Sequence, residues 1–159
     1  MKHLPKHLRP RWRYLAVAIE SWPDTDLRRG EFQRHLWYAS QNLFGDAVSA
    51  DLDLSVIQFD LTDGGGYAII RTRRGMVDRA RAAVACLHDI DGHELGLQVR
   101  GVSGTVRACE EKYIGTDPES TDQRTVTFAG AERTAVVRNG RYDVAVDSAF
   151  AGATTLDFE

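Results

Sequence analysis

Read as alternating apolar and polar positions, the chain opens on a strand. In Arg13-Tyr14-Leu15-Ala16-Val17-Ala18-Ile19, the residues Leu15, Val17 and Ile19 fall on one face and Tyr14, Ala16 and Ala18 on the other. Both faces are apolar, so the strand is expected at the centre of a sheet. Trp22-Pro23-Asp24-Thr25-Asp26 then stops it, and Asp24 or Thr25 is placed to cap a helix running to about Phe44. The stripe Phe32, Leu36, Ala39 and Leu43 has helical spacing, and Gly45 is placed to end the helix.

Ser55 to Leu61 alternates again, with Ile57, Phe59 and Leu61 on one side, and Asp63-Gly64-Gly65 turns it into a third apolar segment. That segment carries Tyr67, Ile69 and Ile70 and is expected to leave the core at Arg71. A second helix is predicted from near Gly75 to near His88, with Val77, Ala80, Val84 and Leu87 as its apolar stripe. Asp91-Gly92 reads as a turn, and Leu95, Leu97 and Val99 as the inward positions of a fourth strand. Val102-Ser103-Gly104-Thr105 closes that strand and opens a short helix, Val106 to Tyr113. The order is βαββαβ plus one more helix. It predicts an α+β fold, a ferredoxin-like (RNA-recognition-motif-like) sandwich with an antiparallel four-stranded sheet and two helices on one face.

Beyond residue 114 the pattern changes. Thr116 to Asp122 has no apolar residue and reads as a linker. Thr125 to Phe128, Thr134 to Arg138 and Tyr142 to Val146 read as short strands, the last two joined by Asn139-Gly140, a hairpin signature. The expected division is a body over 1–114 with a basic N-terminal arm, and an acidic, β-rich extension over 115–159.

Length fits this division, since 159 residues make one packed domain with an appendage rather than two full domains. No unbroken apolar run exceeds the length of Tyr14 to Ile19, far short of the ~20 residues that span a bilayer, so no membrane partner is expected. Met1 to His7 is basic but has no apolar stretch of a secretory signal, which leaves the cytoplasm as the expected location. Cys86 and Cys109 lack metal-site spacing and are expected to be reduced, with Cys86 packed as a small apolar side chain.

Charge changes the picture more than composition does. The net charge is −3, yet residues 1–114 hold 16 Lys+Arg against 15 Asp+Glu, and 115–159 hold 4 against 8. Within the body the cations gather. The arm from Lys2 to Arg13 carries Lys2, Lys6, Arg9, Arg11 and Arg13 and no acid, and Arg71, Arg73, Arg74, Arg79 and Arg81 face only Asp78 between them. Two such clusters point to a polyanion, with arginine forks contacting phosphate. Ser103-Gly104-Thr105, at a strand-to-helix junction with Arg107 one turn on, is either an anion site or a simple helix cap. Only three cations are lysine and aspartate outnumbers glutamate, a bias that suits a salt-rich cytoplasm and that G+C-rich coding also produces.

Catalytic chemistry is poorly represented. His88-Asp89-Ile90-Asp91-Gly92-His93-Glu94 concentrates potential ligands, but its spacing matches neither H-E-x-x-H nor a calcium loop, and it reads as a helix end and turn. A small hydrolase built on His88, Asp91 and His93 would need bound metal. The sequence carries no nucleophile elbow, phosphate-binding glycine loop or dinucleotide fingerprint, so we assign no catalytic residue, no metal ligand and no bound cofactor. Gly66-Tyr67-Ala68-Ile69-Ile70 matches only the Gly-Tyr-Ala part of the RNA-recognition-motif strand, so base stacking on an open sheet is unsupported. A ferredoxin-like module binding a small regulatory ligand shares the topology but has no need of the two arginine clusters.

Three blocks together resemble a known family: Arg11 to Leu15 (Arg-x-Arg-Tyr-Leu), Ile69 to Ala83 (an Ile-Ile-Arg-x-x-Arg strand end feeding a Val-Asp-x-x-Arg-Ala-Ala helix), and Val102 to Tyr113 (Val-Ser-Gly-Thr-Val-Arg-x-Cys-Glu-Glu-Lys-Tyr). They are similar to the protein component 2 family of archaeal ribonuclease P, the Rpp14/Pop5 family, in a form suited to a halophilic archaeon. The resemblance covers residues 9–114 and implies nothing for 115–159. It implies a non-catalytic subunit of a ribonucleoprotein endonuclease, in which RNA and Mg²⁺ remove the 5′ leader of precursor tRNA. The implied partners are ribonuclease P RNA, protein component 3, the other ribonuclease P protein subunits and, through the holoenzyme, precursor tRNA. The residues expected to contact RNA are then Arg9, Arg11, Arg13, Arg71, Arg73, Arg74, Arg79, Arg81, Ser103, Gly104, Thr105 and Arg107.

Overall fold

In the computed structural model, which describes residues 4–114, 122–138 and 140–158, the chain divides into two compact units, 1–116 and 117–159. The body is a mixed α/β unit built on strand β1 (Trp12–Glu20). After α1 (Arg29–Leu52) come β2 (Ser55–Thr62), β3 (Gly65–Arg73) and α2 (Val77–Ala85). The short pair β4 (Asp89–Ile90) and β5 (His93–Glu94), then β6 (Gly96–Ser103) and α3 (Val106–Tyr113), complete it. The sheet order is β2-β3-β1-β6 with every pairing antiparallel, so β1 is central, as its two apolar faces require.

Alternation along β1 and β3 sends side chains to two separate cores. Leu15, Val17, Ile19, Ala68 and Ile70 pack with Phe32 and Leu36 of α1, Ala80 and Val84 of α2, and Leu87 just beyond α2. The intervening Ala16 and Ile69 pack on the opposite face with Cys109 and, less deeply, Tyr14, Val106 and Tyr113. The helix left over from the βαββαβ order therefore packs on the second face of the sheet. It lies so close at Gly101 that a Cβ there would run into the Tyr113 ring.

Several expected details differ. α1 starts at Arg29, not at Asp24 or Thr25, and the Glu31 carboxylate accepts the Arg28 N–H at 2.9 Å. Gly45 breaks the helix at φ 79° and ψ 171°, but helix resumes beyond it to Leu52. The buried stripe is Phe32, Leu36 and Ser40, with Phe44 packed beside it, whereas Leu43 is exposed. Helical spacing of four, not the mixed three and four of the sequence stripe, keeps the side chains over this sheet. On β2 a register shift between Val56 and Gln58 makes a bulge, so Val56 joins Phe59 and Leu61 on the core side and Ile57 turns outward. The β2–β3 turn forms as expected, with Asp63 and Gly64 at φ 51° and 78°. β3 does not leave the core at Arg71, because Thr72 is fully buried and its hydroxyl donates to the Leu52 carbonyl at 2.8 Å. Cys86 ends α2 exposed rather than packed. The Asp91-Gly92 turn closes the β4–β5 hairpin, which the alternation of the sequence does not reveal.

The second unit is an antiparallel meander of β7 (Asp122–Phe128), β8 (Ala131–Arg138), β9 (Arg141–Val146) and β10 (Ala149–Ala153), in the order β10-β9-β8-β7. Its own small core is Ala135, Tyr142, Val144 and Ala153, with the Phe158 ring edge-on to Tyr142 at 4.7 Å. β10 is one strand more than the sequence pattern predicts. Of the linker expected over Thr116 to Asp122, residues 116–121 lie outside the described residues, as does Asn139 of the β8–β9 turn, and Asp122 is already the first residue of β7.

Candidate nucleic-acid interface

Strand register decides which cations meet. β1 and β3 run antiparallel with Trp12 opposite Arg73, Arg13 opposite Thr72 and Tyr14 opposite Arg71. β6 arrives on the other side of β1 with Ser103 opposite Tyr14. The arm, the arginine-rich end of β3 and the Ser-Gly-Thr junction, far apart in sequence, thus converge at one end of the sheet. The Arg74 N–H donates to the Arg11 carbonyl at 2.9 Å, which fastens the arm to the end of β3. An Arg13 Nη lies 3.9 Å from where a Cβ on Gly104 would stand, beside the α3 junction.

At the centre of this end is a side chain that charge counting passes over. The Arg71 guanidinium lies 4.0 Å from the centroid of the Trp12 ring, and that of Arg73 lies 5.4 Å from it. Both are within the ~6 Å over which a cation is attracted to the face of an indole. Arg73 also pairs with Asp53, the left-handed C-cap of α1, at 3.3 Å, with both side chains nearly half exposed. Arg71 has no carboxylate partner among the described residues, and its Nε is buried without a hydrogen-bond acceptor. The signal in the sequence was period two: residues 12 and 14 share a face of β1, and 71 and 73 the matching face of β3.

The remaining expected residues are placed less tightly. Thr105 caps α3, its hydroxyl accepting the Ala108 N–H at 3.1 Å, so the simple-cap reading accounts for it. Ser103 is buried on the α3 side, while Gly104 is exposed. Arg107 pairs with Glu111 at 2.8 Å on the open surface, a contact worth little in water and easily exchanged. Arg9 is exposed and its Nε donates to the Leu4 carbonyl at 2.9 Å. Arg79 and Arg81 are exposed on α2, outside the Trp12 stack. Lys2 lies outside the described residues.

The opposite end of the sheet carries the other sign. Glu20 ends β1, Asp60 and Asp63 flank the β2–β3 turn, and Asp24 and Asp26 follow Ser21, whose N–H donates to the Gly64 carbonyl at 2.8 Å.

The His88–Glu94 cluster does not converge. Asp91 turns to His35 of α1 at 3.3 Å, and the Asp89 carboxylate accepts the Gly92 N–H at 3.4 Å. Among the described residues, no three His, Cys, Asp or Glu side chains gather as a metal ion requires.

Comparison with known proteins matches residues 13–114 to the model of the Rpp14/Pop5 family. Ribonuclease P protein component 2 of the halophilic archaeon Natronomonas pharaonis is 64% identical over 99% of this chain and 98% of its own length. The protein of the same name from Methanosarcina mazei is 33% identical over 72% of this chain and 93% of its own. A chain in the cryo-EM structure of yeast ribonuclease MRP is similar at a TM-score of 0.48 and 17% identity, over 60% of this chain and 75% of that one.

Proposed function

The chain belongs to the Rpp14/Pop5 family, and from that footing we propose that it is a protein subunit of ribonuclease P, in the leader-removing maturation of precursor tRNA. It acts without catalytic residues of its own, by holding the catalytic RNA. The observation that carries this reading is the convergence of Arg11, Arg13, Arg71, Arg73 and Arg74 at one end of the sheet. Phosphate contacts of this kind fix position and fold without reading sequence. With α1 and α2 on one face of the sheet and α3 packed on part of the other, the open-sheet stacking of an RNA-recognition motif has less surface here, and strand ends are the alternative. We read the body as ferredoxin-like, since its four long strands, numbered in chain order, lie as 2-3-1-4. Mg²⁺ belongs to the RNA of the assembled cytoplasmic enzyme. Protein component 3 and the other subunits complete the complex, and the exposed Trp37, Tyr38 and Leu43 of α1 offer an apolar surface to component 3.

The test is precursor-tRNA cleavage by the reconstituted enzyme with Arg71, Arg73, Arg74 and Arg107 all replaced by Ala. The expected result is a rise of at least tenfold in the protein concentration needed for half-maximal cleavage. The log–log salt dependence should also become shallower, by roughly 0.7 to 0.9 for each phosphate the variant no longer neutralises. Cleavage at wild-type protein concentrations would refute the reading.

A further inference from the structure

Resting on that reading of the arginine cluster, the Trp12 stack explains how it could hold RNA in brine. At about 1 M salt the Debye length falls to roughly 3 Å, so loosely placed surface cations lose most of their attraction for a phosphate. A planar guanidinium already fixed in position loses much less, because its two N–H bonds act at contact distance. Arg71 has that fixity: it lies over Trp12 at 4.0 Å, with Nε enclosed and without an acceptor, so the outer edge of the fork remains for a ligand. Arg73 lies over the same ring at 5.4 Å, and its carboxylate neighbour among the described residues, Asp53, is at 3.3 Å on a half-exposed surface. Two cations held near one indole repel each other, and an anion between their outer edges relieves that repulsion. The Arg74–Arg11 backbone bond keeps the two strand ends from splaying.

We infer that Trp12 is the positioning residue of a phosphate grip formed by Arg71 and Arg73, and that this grip carries RNA binding at high salt. The arm and the helix arginines contribute attraction that salt removes.

The test uses the full chain and in vitro transcribed ribonuclease P RNA from the same organism, with binding measured at 0.2 M and 2 M KCl and folding followed by thermal melts. Trp12→Leu and Arg71→Lys are each expected to weaken binding tenfold or more at 2 M KCl and by a smaller factor at 0.2 M, with Trp12→Phe between them and wild type. Arg34→Lys, on the exposed side of α1, serves as the control and should bind as wild type does. Arg71→Lys retains charge and loses only the planar fork, so it reads out the grip even where Trp12→Leu fails to fold. Wild-type binding by Arg71→Lys at 2 M KCl, or by a folded Trp12→Leu, would overturn the inference. It would leave the ribonuclease P reading standing provided the fourfold alanine variant still impairs cleavage. If that variant also behaves as wild type, both fall.

Discussion

Cys109, on the sheet-facing side of α3, is fully buried and its Sγ donates to the Tyr14 carbonyl at 3.1 Å, while Cys86 ends α2 exposed. Burial pushes the Cys109 thiol above its ordinary 9.0, only partly offset by hydrogen bonding from Ser103. Since the thiolate is the reactive form, iodoacetamide at pH 8 should modify Cys86 and spare Cys109 until denaturant is added. Mass spectrometry showing equal labelling of the native protein would contradict this. The sign for stability follows from the same shift. The contribution of the protonated thiol is complete below 9.0 and is lost as pH rises through the raised value, so wild-type melting should fall more steeply above pH 9 than that of Cys109→Ala. Which cysteine is buried was not legible in the sequence. Ala-Val-Ala-Cys-Leu looks apolar, yet Cys86 lies past the last turn of α2, and Cys109 sits among the charged residues Arg107, Glu110, Glu111 and Lys112, of which only Glu110 turns partly toward the sheet, its carboxylate accepting from the Gln58 amide at 2.6 Å. Trp12 was missed for a related reason: its partners are set by strand register, not by sequence distance.

Element types were legible wherever the period was clean, as for β1, β3, β6 and α3. Boundaries failed where one residue changed the geometry. Gly45 was visible as a breaker, but the helix-forming run Asp46 to Leu52 restarts the helix beyond it, and the conformation between the two pieces is one that only glycine adopts comfortably. Gly45→Ala should therefore cost about 1–3 kcal/mol in urea unfolding, and a neutral result would mean that the kink relaxes freely. On β2 the alternation of Ile57, Phe59 and Leu61 was read as one face, and the bulge moved Ile57 to solvent, an offset that alternation cannot reveal. Thr105 was read as either cap or ligand and is a cap in geometry. Thr105→Ala should lose about 1 kcal/mol through α3, measurable in the same unfolding experiment. A substantially larger loss would show that Thr105 does more than hold one N–H.

In the whole molecule, the two units keep separate cores, two in the body, one on each face of its sheet, and one in the extension. The Methanosarcina mazei relative is matched over 93% of itself by only 72% of this chain, so most of that relative is accounted for without the full extension. The chain cut after residue 116 should accordingly keep a cooperative melt close to that of the body in the full protein. Loss of the transition would show that the extension is needed to fold it. The charges at the two ends of the sheet have a different consequence. β1 carries the chain from the arginine end to the carboxylate end over nine residues, roughly 27 Å at the usual strand rise. A body charged oppositely at its ends experiences a torque near a polyanion and arrives already turned, arginines leading. In concentrated salt that torque is screened within a few ångströms, so encounters become random in orientation and association slows, even where contacts made at short range persist.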